Sequence, residues 1–304
     1  TAAVPDADAD PTNELIDSIT LDNTTINIYQ AGNVMSTSLD EVINQPFTDL
    51  DTLSSTEFSM SGSLVIGSSL VDISIQDNYA YIVNLGDTKL EIVDISNPAG
   101  PILAGNATAI GAFGVSAHGA YAYCPGVNIG NGDGLLFVFS VSNPSSPGWI
   151  VASSVSFPNA GIAISVDGDN VCVVTLGNTL EIIDASNPGV PVLAGTISIN
   201  HGPDGDVWAE DGYAYVAGGG QLEIIDIANP AVPSLAGTLS LGSGQNYISI
   251  QNDYAYVTSD SLLQIVDVSV PASPIIVGSA EIGTAPSGIV VLGSHAYVVG
   301  GSHM

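Results

Sequence analysis

Basic residues are almost missing from this sequence. Lys89 is its one lysine, arginine is absent, and 31 acidic residues bring the formal net charge to −30. Without cations at phosphates there is no counterion release, which excludes nucleic acid as a partner. Recognition of phosphate or carboxylate substrates through bidentate arginine is excluded with it. The 31 acids in 304 residues are an ordinary fraction, so the anomaly is a loss of cations and not an enrichment in acid. Such a surface offers trypsin-like proteases almost nothing to cut, and an extracellular or cell-surface location is expected. No apolar run approaches the roughly 18 residues of a membrane span, which argues against membrane insertion. Two cysteines, Cys124 and Cys172, are too few for a disulfide framework. Aromatic residues are scarce at 6%, while 34 glycines and 17 prolines favour short elements and turns over long helices. With Thr1 at its start and no leader-like segment, the sequence is expected to be a mature or trimmed chain.

What is present is a repeat. Tyr79-Ala80-Tyr81 returns as Tyr121-Ala122-Tyr123, Tyr213-Ala214-Tyr215, Tyr254-Ala255-Tyr256 and His295-Ala296-Tyr297, with Asn170-Val171-Cys172 as a degenerate copy. The triplets start 42, 49, 43, 41 and 41 residues apart. After each copy but the last comes a second apolar run and a proline turn: LEIVDISNPAGP (90–101), LFVFSVSNPSSP (136–147), LEIIDASNPGVP (180–191), LEIIDIANPAVP (222–233) and LQIVDVSVPASP (263–274). A third run such as PVLAGTIS (191–198) follows, and an alternating run such as VDISI (71–75) precedes each triplet. β-Branched residues bounded by Gly, Asn and Pro argue for four short strands per unit, here termed A, B, C and D. One unit cannot bury both faces of its sheet, so units must stack. Four-stranded units of this period fit propeller blades.

The L-x-I-V-D cores at 90–94 and 263–267, with Ala-Tyr before and Asn-Pro-x-x-Pro after, resemble the LVIVD repeat over about 60–304. The resemblance implies a β-propeller of secreted or cell-surface type and no shared catalytic set. Ser140 departs from it where Asp94, Asp184, Asp226 and Asp267 stand in the other copies. Each of those aspartates precedes a turn, where a carboxylate accepts backbone N–H groups, and a cap is expected ahead of a ligand role. Cys124 and Cys172 fall on second strands of neighbouring units. Stacked sheets lie about 10 Å apart and a disulfide needs Cα atoms within about 7 Å, so two buried thiols are expected.

The first sixty residues leave the repeat. In PDADADPTNELID (5–17), Asp6, Asp8, Asp10, Thr12, Glu14 and Asp17 fall at the ligand positions of an EF-hand loop. Pro11 stands where that loop needs glycine, and Asp17 where it needs glutamate. The stretch also resembles D-x-D-P-T-N-E segments of secreted bacterial surface and fibre-like proteins. It reads as a candidate Ca²⁺ site, Ca²⁺ being the one cofactor suggested, with a solvated acidic tail as the alternative. TLDNTTINIYQAG (20–32) reads as a hairpin or strand pair, Ser38-Leu39-Asp40-Glu41 as the capping box of a short helix over 39–45, and 47–62 as loop. SLVIGSS (63–69) resembles strand D.

Because the last copy has strands A and B without C and D, the N-terminal region is expected to complete it. Leu64, Val65 and Ile66 would act as strand D within the chain, and Thr25, Ile26, Asn27, Ile28 and Tyr29 as strand C, supplied by a second copy. The fold read from the sequence is all-β: a six-bladed β-propeller of four-stranded blades over 59–304, closed by an N-to-C strand clasp, with a short extension over 1–58. For chemistry, the loop NHGPDGD (200–206) gathers His201, Asp204 and Asp206, and NIGNGDG (128–134) offers Asn131 and Asp133 on the same face, though Gly, Asn and Asp are also ordinary turn residues. No nucleotide or nucleophile-elbow motif occurs, and no catalytic residue is assigned. The expected function is a non-enzymatic extracellular structural or adhesive protein that self-associates into a filament by strand exchange. The alternative is a binding module that takes a glycan or surface protein on its loop-rich face.

Overall fold

The computed structural model describes residues 18–21, 25–31, 58–149, 155–200, 202, 205–242, 244, 246–282, 286–292 and 295–300. All regular structure among them is β. An N-terminal sheet holds β1 (Ser18–Leu21), β2 (Thr25–Ala31) and β3 (Phe58–Val65) in that spatial order. The helix expected over 39–45 lies outside the described residues.

Five repeat sheets follow. The first contains β4 (Leu70–Gln76), β5 (Tyr79–Asn84), β6 (Lys89–Asp94) and β7 (Ile102–Thr108). The second has β8 (Ser116–His118), β9 (Tyr121–Val127) and β10 (Gly134–Ser140), with the outer position divided between β11 (Gly148–Trp149) and β12 (Val155–Phe157). The third contains β13 (Gly161–Asp167), β14 (Asn170–Thr175), β15 (Thr179–Asp184) and β16 (Val192–Ser198). The fourth has β17 (Asp206–Glu210), β18 (Tyr213–Gly218), β19 (Gln221–Asp226) and β20 (Ser234–Ser240). The fifth has β21 (Tyr247–Gln251), β22 (Tyr254–Ser259), β23 (Leu262–Asp267) and β24 (Ile275–Glu281). A two-stranded sheet of β25 (Pro286–Leu292) and β26 (His295–Gly300) comes last. All pairings are antiparallel, and within the repeat sheets consecutive strands are joined through two to seven residues, as antiparallel pairing allows.

Local chemistry accounts for the tight turns. Asp77, Asp211 and Asn252 open the two-residue A–B turns at φ near +54°, and Gly119 and Gly168 take the same left-handed conformation. A two-residue hairpin matching the strand twist needs positive φ there, which Asp, Asn and Gly supply. Each sheet's first strand lies against the first strand of the next, from β4 to β8, β13, β17, β21 and β25.

That stacking explains why the apolar residues do not simply alternate. Second and third strands have neighbours on both faces and are buried along almost their whole length, as in Tyr79–Asn84 and Thr179–Asp184. Leu90, Ile92, Leu180, Ile182, Leu222 and Ile224 are fully buried between sheets. Outer strands have one side in solvent and expose Ile102, Leu103, Val192, Leu193, Leu235, Ile275 and Ile276.

Two sequence expectations need correction. Residues 58–62 are strand, not loop: β3 begins at Phe58, and Gly62 takes in it the place that Gly105, Gly195 and Gly237 take in the outer strands of the repeat sheets. A Cβ at Gly62 would strike the Pro98 carbonyl, as one at Gly105 would strike Pro144, at Gly195 Pro230, and at Gly237 Pro271. Each outer strand thus lays its glycine on the proline turn of the following sheet, where only a missing side chain allows the approach. The last A strand also begins earlier than expected, at Pro286.

Candidate functional site

The sequence placed Asp206 in a loop with His201 and Asp204. The structure places it at the seam between two sheets: it opens β17 and is partly buried, accepting the N–H of Val207 at 2.8 Å and of Ile248, in the next sheet, at 3.0 Å. Asp72 occupies the same position in the first sheet and accepts from Ile73 at 2.8 Å and from Val115 of the second sheet at 2.7 Å. Five residues before the triplet stands a serine in four copies, and three of these repeat the device. Ser74, Ser165 and Ser249 accept from Ala117, Ala209 and Val291 of the following sheet at 3.0, 2.9 and 3.1 Å. Asp167 adds a bond from Gly212 at 2.9 Å. These side chains bind one innermost strand to the next. The serine's fixed place before the triplet was legible in the sequence, whereas its target on another sheet was not.

Burial carries a charge penalty here. Desolvation raises the Asp72 carboxyl to about 7 and the Asp206 carboxyl to about 6, against the pull of the two backbone N–H groups on each. The negative charge of Asp206 adds to the rise at Asp72. A second acidic position went unread in the sequence. Glu91, Glu181 and Glu223 stand at the third residue of their C strands and are buried. Glu181 accepts from Thr179 and Thr196, and Glu223 accepts from the Asn200 N–H. Glu91 lies 3.9 Å from Lys89, the chain's one cation, and burial raises its pKa.

The turn aspartates act as caps. Asp94, Asp184 and Asp267 accept the N–H two residues on at 2.9 Å, and Asp226 does so at 3.0 Å. Both cysteines are buried free thiols. Burial pushes them up, Cys172 to about 12, so neither is a ready nucleophile.

Of the loop residues singled out, Asn131 and Asp133 bond each other, the Asn131 amide donating to the Asp133 carboxylate and the Asp133 N–H to the Asn131 carbonyl. That is turn chemistry. His201, Asp204 and the acidic head with Asp6, Asp8, Asp10, Thr12, Glu14 and Asp17 lie outside the described residues. Among the described residues no group of three or more His, Cys, Asp or Glu side chains converges as metal ligands would. A cavity of about 400 Å³ opens between the second and third sheets, at the A–B turns, lined by His118, Tyr121, Tyr123, Asp169, Ser186 and Pro188. The rings of Tyr121 and Tyr123 lie 6.4 Å apart at 46°, and burial pushes the Tyr123 hydroxyl up to about 12. An imidazole, a carboxylate and phenol rings can hydrogen-bond and stack against a hydroxyl-rich ligand. They do not form a nucleophile and base pair.

The clasp residues fall on the N-terminal sheet. Thr25–Tyr29 lie in β2 and Leu64–Val65 in β3, with Ile66 just beyond. β2 and β3 pair from Thr25 opposite Val65 to Ala31 opposite Phe58, with an irregularity between Ile28 and Tyr29. The C–D pairs of the first, third, fourth and fifth sheets are irregular after the same fourth residue, at Ile92/Val93, Ile182/Ile183, Ile224/Ile225 and Ile265/Val266.

Four-stranded sheets joined through their first strands and stacked face to face define a β-propeller. A family model for the LVIVD repeat matches residues 68–109, 111–152, 161–198, 201–240 and 243–281, and the chain belongs to that family. Among solved structures it is similar to a functionally unknown protein from Desulfotomaculum acetoxidans DSM 771, at 14% identity and a TM-score of 0.66 over 86% of this chain and 78% of that one. It is also similar to hydrazine synthase from Kuenenia stuttgartiensis, at 15% identity and 0.60 over 80% and 83%. BamB from Moraxella catarrhalis gives 15% and 0.53 over 79% and 85%. At these identities the likeness concerns the fold alone. No curated protein matches the sequence.

Proposed function

We propose that this chain is a non-enzymatic extracellular structural or adhesive protein. Its propeller closes at six blades through a clasp between its N- and C-terminal strands, and copies self-associate by strand exchange. The observation that carries the reading is the pair of unfinished terminal sheets. The β25–β26 hairpin has A and B strands only, clipped to the fifth sheet by the bond from Val291 to Ser249. The N-terminal sheet holds a C–D pair in repeat register, laid on the first sheet through Gly62. Unfinished edges are what strand addition uses, and main-chain bonding needs no charge pairing, which suits a chain with one cation. The exposed apolar residues of the outer strands give the rim further contact surface. Light scattering and negative-stain microscopy of the full chain over a range of concentrations test this, with concentration-dependent filaments expected. A monomer at every concentration sinks the self-assembly reading.

The acidic head is assigned to Ca²⁺, whose hard oxygen ligands its alternating carboxylates supply. Calorimetric titration with Ca²⁺ should give heat that an Asp8→Ala, Asp10→Ala variant loses, and identical heats remove the site. A second reading, a module that binds a glycan, rests on the cavity at His118, Tyr121 and Asp169. Glycan binding abolished by Tyr121→Ala would favour it over the structural role.

A further inference from the structure

The strand count contains one B strand too many. In the first sheet, β5 meets β6 with Ala80 opposite Val93, Tyr81 opposite Ile92, Ile82 opposite Glu91 and Val83 opposite Leu90. β1 meets β2 in the same way: Ser18 faces Tyr29, Ile19 faces Ile28, Thr20 faces Asn27 and Leu21 faces Ile26. Counted from the shared irregularity, these are the same four ladder positions. β1 therefore occupies the B position beside a C strand, and it touches β4, the A strand of the next sheet, as β14 touches β17 and β18 touches β21. At the other end of the chain, β26 is a B strand by its triplet and by its pairing with β25, which carries the irregularity near its start seen at Leu70/Asp72 and Gly161/Ala163. On its far side β26 meets no strand of the described residues.

We infer that β1 is a surrogate for β26: the two compete for one edge of β2, and closure of the ring requires β26 of the same chain to displace β1. The inference rests on the six-blade closure proposed above. In repeat register β26 would lie on β2 from His295 opposite Gln30 to Gly300 opposite Thr25, with Val298 opposite Asn27. It brings six ladder positions against the four of β1, and it carries β25 on its outer side, so the merged sheet has four strands. β1 has the advantage of proximity. Only residues 22–24 separate it from β2, so its local concentration at that edge is high and its contact order low, whereas β26 must come from the far end of the chain. The favourable order is β1 first and β26 afterwards. β1 then covers the edge of β2 while the repeats fold, as an exposed edge invites pairing with other chains. The copy that closes is the same chain, because β3 runs into β4 through four residues and is laid on the first sheet by Gly62, which fixes the C–D pair at that end of its own ring.

Cross-linking separates the two occupants, since directly opposite residues bring Cα atoms within disulfide reach. Asn27→Cys is combined in the full chain with Thr20→Cys, with Val298→Cys, or with both, and mild oxidation is followed by non-reducing mass spectrometry; the buried native thiols stay out of the reaction. Below the concentration at which filaments form, intrachain 27–298 disulfide is expected in monomers, in competition with 20–27 disulfide when both partners are present. In filaments the same pair is expected between chains. Adding Ile19→Pro and Thr20→Pro to the 27–298 pair strips β1 of ladder N–H groups and should raise the 27–298 yield several-fold. Equal yields with and without the prolines would leave closure standing and overturn the rivalry. A 20–27 disulfide with no 27–298 product overturns both. A 27–298 disulfide found only between chains overturns displacement within the chain and leaves self-association standing.

Discussion

The repeat sheets between residues 70 and 281 and the terminal sheets at 18–65 and 286–300 are built from the same strand types, yet only the repeat sheets hold all four positions. The difference lies in distance along the chain. Inside a repeat, strands A to D follow one another through turns of a few residues, so each finds its neighbour at low entropic cost. At the termini the complementary strands are separated by almost the whole sequence. Strand identity is thus a local property carried by short motifs, whereas completion of a sheet depends on what arrives to fill the edge.

The comparison can be pressed through four experiments, from the largest effect to the smallest. Replacing Ile182 or Ile224, fully buried between complete sheets, by alanine should cost about 2–5 kcal/mol of unfolding free energy in urea titrations. Ile289→Ala, on the half-buried hairpin, should cost distinctly less, and equal losses would mean that the terminal sheet is as well enclosed as the others. Gly195→Ala and Gly62→Ala each force a Cβ onto a proline turn of the next sheet and should both cost about 1–3 kcal/mol. An unaffected Gly62→Ala would show that β3 is not seated as strand D.

The third experiment is a pH titration of stability. Asp72 and Asp206 have folded values of about 7 and about 6 against an ordinary 3.8. Between about pH 4 and 7 the folded chain therefore holds protons that the unfolded chain releases, and stability falls as pH rises through that window. The melting temperature should be higher at pH 5 than at pH 8, and Asp72→Asn with Asp206→Asn should flatten the slope. A slope unchanged by both substitutions would place its origin in the remaining acidic residues. Smallest of all, Asp226→Ala removes the bond from the Ala228 N–H and should cost about 0.5–1 kcal/mol. A loss well beyond that would mean the aspartate does more than cap its turn.

How much of this was readable in advance differed by residue. The turn caps at Asp94, Asp184, Asp226 and Asp267 were legible because an aspartate acting on the residue two places on needs no knowledge of the rest of the fold. The free cysteines were legible because the spacing of stacked sheets is generic. Asp206 was misread as a loop residue beside His201, since its partner Ile248 lies 42 residues away, across a sheet boundary. Residues 58–62 read as loop because what selects Gly62 is the proline turn of a different sheet. The strand pair around residues 22–24 was readable, but nothing in SITL (18–21) announced that β1 would meet β2 in the register in which β5 meets β6.

The sequence by itself determined the order of strand types in each repeat, the turns between them, and an almost cation-free composition. These follow from residues within about a dozen positions of one another, where alternation, proline and glycine act directly on the backbone. Only the tertiary structure decided which carboxylates are buried as clips between sheets, which glycine faces a proline turn, and which strand stands on the edge of β2. Those outcomes depend on contacts between residues one or more repeats apart, and several sequence segments satisfy the same local pattern equally well.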